Sequence, residues 1–258
     1  MARAAILTGT AGGIIGSITG GWGIVWAIIN IIYIWEFFSY SLDLALYSLT
    51  VGVYASSLLS QPISFTLFSA FSIVLALLLV VSCTLLGVGY YGLYKIGGGA
   101  MGIVGLIFSI IGSVAGGLFI LLGNIITEIK VISFIFVPGF IFESVLGQIP
   151  YVIYTPSFFY IWIGFIIIAI TFIIIAVVSI ALRDTTARPR ASLTAGILSI
   201  VGSCLFFPYI LITPDPINGT LHIPMIGANM ALTGFTLIFV AFILWAAVFY
   251  SSIKIKSH

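Results

Sequence analysis

Six stretches of this chain run without a single Asp, Glu, Lys, Arg or His: residues 4–34, 63–94, 100–123, 157–182, 191–213 and 225–250. Each reaches or exceeds the roughly 20 residues that an α-helix needs to cross a hydrocarbon layer about 30 Å thick. The rest of the chain offers little to keep such stretches in water. It holds eight Lys and Arg and six Asp and Glu in 258 residues, 5% charged against 62% hydrophobic, with a mean hydropathy of +1.36. A soluble domain carries about 25% charged residues. Lipid, rather than a polar surface, must therefore cover this one. The apolar character is continuous, whereas a membrane barrel alternates in segments of about ten residues. The expected fold class is all-α: a polytopic membrane protein of about six transmembrane helices forming one transmembrane domain over residues 1–258.

The first stretch is not read as a signal peptide. Its apolar run lasts from Ala4 to Trp35, well past the 7–15 residues or so of a signal core. A retained helix is expected.

The connections fall into two kinds. Short ones, Lys95–Gly99 and Arg183–Arg190, alternate with longer ones at 35–62, 124–156 and 213–224. That spacing predicts three helical hairpins in series, covering 1–96, 97–186 and 187–258. Arg3, Lys95, Arg183, Arg188, Arg190, Lys254 and Lys256 fall on the side of the termini and short connections, and only Lys130 falls opposite. Basic residues near helix ends favour the cytoplasmic side. The expectation is a multi-pass protein of the cell membrane with both termini cytoplasmic.

The longer connections are themselves apolar. Residues 36–49 and 131–154 are rich in aromatic and aliphatic side chains. Interfacial helices or a packed outer cap are the favoured reading, with re-entrant segments or extra short helices as alternatives. The third such connection contains Asn218-Gly219-Thr220, a possible glycosylation site at Asn218.

Glycine and serine recur in the odd-numbered helices. Gly16-Ser17, Gly112-Ser113 and Gly202-Ser203 are the Gly-Ser pairs of the chain. Upstream, small residues align as Gly9, Gly13, Gly16, Ser17; Gly105, Ser109, Gly112, Ser113; and Ala195, Ser199, Gly202, Ser203. The spacing places each set on one helix face. Helices in lipid associate where small residues let backbones approach, so these twelve are the candidate helix-packing residues. A threefold internal repeat is expected. The three stripes are expected to meet at a common centre, with the isoleucine-rich even helices (166–168 and 173–175 in the fourth) outside, toward lipid.

Chemistry is sparse. Ion-coupled transporters usually hold an ionisable residue at membrane depth, and the six stretches hold none. Haem between helices usually needs paired histidines; His222 and His258 lie outside the stretches. Cys83 and Cys204 have no metal-ligand spacing. Lys95-Ile96-Gly97-Gly98-Gly99 lacks the phosphate-cradle pattern and reads as a tight turn. Three hairpins are also the plan of mitochondrial carriers, but no odd helix holds that family's Pro-x-Asp/Glu-x-x-Lys/Arg motif. The expectation is thus no catalytic residue, no cofactor, no metal and no nucleic-acid partner. The favoured role is a structural or accessory subunit of a larger membrane complex. Its partners would be the lipid bilayer and other integral membrane proteins, which Asn229 and Thr233 could contact. The alternative is a small channel or facilitator for a neutral solute or ion, lined by Thr10, Ser17, Thr19, Ser113 and Ser203.

Overall fold

The computed structural model describes the backbone of residues 1–51, 63–97, 99–135, 149–205 and 222–253. The described chain is helical: α1 (Ala2–Val51), α2 (Ile63–Lys95), α3 (Met101–Ile135), α4 (Ile149–Ala181), a 3-10 turn (Arg183–Thr185), α5 (Pro189–Cys204) and α6 (His222–Ser252). Five of the helices contain segments long and apolar enough to cross a membrane: 2–29, 70–95, 101–125, 163–181 and 229–252. The described chain is therefore all-helical, with five helices that could span a membrane as in a multi-pass protein. The helix α5 is described over 16 residues, and the rest of the stretch 191–213 lies outside the described residues, as does the Asn218 sequon.

Proline and glycine punctuate the chain. Pro189 opens α5, and Pro150 and Pro224 sit in the first turns of α4 and α6, where a missing N–H costs nothing. The turn between α2 and α3 closes with Ile96 N–H donating to Leu93 O and Gly97 N–H to Tyr94 O, both at 3.1 Å. Gly97 and Gly99 take φ of +109° and +66° there, which a side chain would disfavour.

Two helices outrun their apolar stretches. The first stretch ends near residue 34, yet α1 continues to Val51, for 50 residues or about 75 Å of axis. No glycine or proline interrupts the chain between Gly23 and Gly52, so nothing stops the helix. The apolar segment 36–49 is thus a continuation of α1 rather than a separate interfacial helix. In the same way α3 extends to Ile135, short of Pro138.

The helices pack in a closed ring in chain order. Each lies against its neighbours in sequence, and α6 returns to α1. Among the described residues the odd helices pack mainly against even helices: α1 between α6 and α2, α3 between α2 and α4, α5 between α4 and α6. This overturns the expected arrangement of three small-residue stripes at a common centre. Of the five spans α4 is the most enclosed, with 56% of its apolar window buried, and α3 the least, with 33%. Ile168 and Ile175 of α4, expected toward lipid, are core residues, while Ile14, Ile18, Ile111 and Leu118 of the odd helices are exposed. The reason is volume. A glycine face admits a neighbouring backbone but fills no space, so the middle of a six-helix ring has to be filled by large side chains.

Candidate functional site

Those large side chains come mainly from the even helices. Trp26, Tyr90, Phe172, Phe242, Trp245 and Phe249 are almost completely buried. Tyr90 of α2 meets Phe249 of α6 edge-on at 5.2 Å, and Phe172 of α4 meets Phe242 of α6 at 5.6 Å. Trp26 of α1 reaches Phe165 of α4 at 5.1 Å and Phe235 of α6 at 5.8 Å. The pairs α2–α6, α4–α6 and α1–α4 are not neighbours in the ring. Their side chains meet only across its middle, which the rings therefore occupy.

Around this centre the small residues set the helix spacing. A Cβ placed on Gly9 would lie 2.6 Å from Gly89 Cα, and one on Gly13 would lie 2.6 Å from the backbone nitrogen of Ala246. At Gly16 it would strike the Phe242 ring, and at Gly112 the Thr171 side chain. Gly105 sits against Tyr90 and Val178, and a Cβ on Gly202 would lie 2.9 Å from the Gly234 carbonyl oxygen. Gly87 of α2 faces Ser109, and Ser199 Oγ donates to Phe172 O at 3.3 Å. Ala195, Ser113 and Ser203 are buried, and Ser17 only partly. Gly9, Gly13, Gly16, Gly105, Ser109, Gly112, Ser199 and Gly202 thus each face an even helix.

Four of the five hydroxyls proposed as a pore lining bond carbonyls of their own helices, and the fifth, Ser203 Oγ, is buried without a partner. Thr10 Oγ1 donates to Ile6 O at 3.2 Å, Ser17 Oγ to Ile14 O at 2.7 Å and Thr19 Oγ1 to Ile15 O at 2.8 Å. Ser113 donates to Ser109 O. These residues sit on different odd helices, whose main packing partners are even helices. Thr233 Oγ1 donates to Asn229 O at 3.0 Å on an exposed face of α6.

Sequence reasoning missed the polar contacts that tie the even helices to their neighbours. Ser192 Oγ donates to Ser179 O at 2.8 Å, Ser179 Oγ donates to Ser192 O at 3.1 Å, and Trp245 Nε1 donates to Ser179 Oγ at 3.0 Å. One site thereby links α4, α5 and α6. The Tyr90 phenol faces Ser179, but the two do not reach hydrogen-bond geometry, and Tyr90 Oη, Ser109 Oγ and Ser203 Oγ are buried without a partner. Near the other end Trp26 Nε1 donates to Ser72 Oγ at 2.7 Å and Trp22 Nε1 to Phe71 O at 3.1 Å. The overlooked signal is tryptophan inside an apolar run. Trp usually settles at the membrane interface, so one in the middle of a stretch needs a buried acceptor. Ser192→Ala removes the bond from Ser192 Oγ to Ser179 O and the 3.0 Å contact between the two hydroxyls, leaving the Ser179 bond to the Ser192 carbonyl in place. It is expected to lower stability by about 1 kcal/mol, measured by unfolding in mixed micelles against Ser251→Ala, whose hydroxyl bonds only its own helix.

No metal-binding cluster of His, Cys, Asp or Glu occurs among the described residues. No protein-family model, curated protein or solved structure matches the chain.

Proposed function

We propose that this protein is a structural, accessory subunit of a larger complex in the cell membrane, without catalytic chemistry of its own. The observation that carries this reading is the closed middle of the ring. Aromatic side chains from four helices fill it, and the hydroxyls that could line a path are bonded within helices or set in separate grooves. A second observation points outward. Asn229, Thr233 and Thr236 share the exposed face of α6, at spacings of four and three residues. Thr233 and Thr236 bond carbonyls of α6 itself, and small and polar residues on an exposed face suit close approach by a neighbouring helix. Purification in mild detergent is expected to bring a stoichiometric membrane partner with it. Solute flux through liposomes holding this chain alone would sink the reading in favour of the channel alternative.

The three hairpins are proposed as repeats of one unit. In support, Gly13, Ser109 and Ser199 occupy equivalent positions, and each meets the helix that precedes its own in the ring: α6, α2 and α4. The relation loosens one turn later. Gly112 and Gly202 face the following helix, whereas Gly16 is covered by Phe242 of the preceding one.

Both termini are proposed to be cytoplasmic, on the strength of the basic residues at that end of the bundle. Single cysteines replacing Arg3 and Ser257, in a background with Cys83 and Cys204 replaced, are expected to react with an impermeant maleimide only after the cell membrane is opened. Labelling of either in intact cells would reverse the orientation.

A further inference from the structure

The exposed cations of the described chain gather at one end of the ring. Arg3 opens α1, Lys95 closes α2, and Arg183, Arg188 and Arg190 line the connection from α4 to α5. The helix ends there lie at one level. Gly92 sits against Ala5 and Ile6, Gly102 against Tyr94, and Gly105 opposite Val178. The Ala187 N–H donates to Ser252 Oγ at 3.4 Å. The described acid at this end is Asp184, whose side chain is 81% exposed and 3.6 Å from Arg183 Nε. It offsets one of the five charges.

The α4–α5 connection is not a loose loop. Thr185 Oγ1 donates to Leu182 O and Thr186 Oγ1 to Arg183 O, both at 2.7 Å. The start of α5 is pinned to α4 through Ser192 and Ser179. Three guanidinium groups therefore rise from a backbone tied to α4 and α6, at the depth where the spans end. A planar fork of N–H donors suits phosphate oxygens better than a lysine point charge does. Lys95 is differently placed, with its Nζ over the rings of Tyr91 and Tyr94 at 5.3 and 5.6 Å.

We propose that Arg183, Arg188 and Arg190 form a binding site for the phosphate headgroup of an anionic phospholipid. The occupant is a lipid because the site runs on into exposed apolar surface. Ile197 and Val201, seven and eleven residues beyond Arg190, fall on its face of α5 and are each more than two-fifths exposed. A headgroup at the arginines would lay its acyl chains along this face. Basic residues at this depth attract anionic lipids.

The test is lipid retention by the full-length protein in an uncharged detergent, read by native mass spectrometry with phosphatidylglycerol and phosphatidylcholine offered together. Phosphatidylglycerol is expected to be retained about tenfold better, and the triple variant Arg183→Gln, Arg188→Gln, Arg190→Gln to lose that preference. If the triple variant does not fold, Arg188→Gln and Arg190→Gln singly are each expected to lower the preference several-fold. Unchanged preference in the triple variant, or in both singles, overturns the site. Displacement of the lipid by millimolar inorganic phosphate also overturns it, assigning the arginines to a free anion.

Discussion

Gly89→Leu is expected to prevent α1 from seating against α2 and to lower the yield of folded protein severely. The Cβ alone would lie 2.5 Å from Gly9 Cα and 3.0 Å from the Phe249 ring. Gly9 is backbone and cannot swing aside, and Phe249 is fixed against Tyr90. Overpacking a core by a few methylenes costs about 1–3 kcal/mol, occasionally more. Here the helices themselves must part, so the upper end of that range or beyond is expected. Total stability is on the order of 5–15 kcal/mol, so the loss should appear directly as aggregation in detergent. Gly21→Leu is the matched control. It adds the same side chain to an α1 glycine whose Cβ would meet nothing within 4 Å, and it is expected to leave folding intact. Size-exclusion profiles and unfolding midpoints of the two variants decide the matter. Equal behaviour would mean that glycine spacing does not set the α1–α2 contact.

Trp245→Ala is expected to be the most damaging truncation in the centre of the ring. The indole is 1% exposed, packs edge-on against Phe242 at 5.5 Å and supplies the Ser179 hydroxyl with a donor. Removing a buried Trp or Phe side chain costs about 3–5 kcal/mol through lost contacts and the cavity left behind. Trp245→Phe keeps most of the ring volume and loses the N–H, so a loss nearer 1 kcal/mol is expected. Unfolding of the two variants in mixed micelles separates packing from hydrogen bonding. Near-equal losses would show that the bond to Ser179, not the ring, holds α6 to α4. The alanine variant also bears on function. If solute flux appears in liposomes once the indole is gone and is absent before, the aromatic centre is what closes the path.

The local rules explain much of what could be read without coordinates. Uninterrupted apolar length placed five spans, because the bilayer imposes one requirement on every helix that crosses it. Pro189 and Pro224 bounded the fifth and sixth stretches, and Gly97 and Gly99 a turn, because those residues act through their own backbone; Pro150 was assigned to a connection, whereas α4 starts at Ile149. Helix ends were less legible where nothing breaks the backbone. The first helix runs to Val51 since hydropathy falls near residue 34 but helix-breaking residues arrive only at Gly52. The clamp at Ser179, Ser192 and Trp245 was not legible, because its three members come from three helices and no spacing along the chain connects them.

Solvent preference and packing face were thus written into the residues one by one: a chain with this charge content belongs in lipid, and its glycine faces admit a neighbouring helix closely. What each face would meet was settled only in three dimensions. A stripe of small residues is equally suited to another stripe or to a groove between two bulky helices. Filling space in the middle of the ring selected the groove, since glycines meeting there would have left a void that Trp245, Phe242 and Tyr90 now occupy.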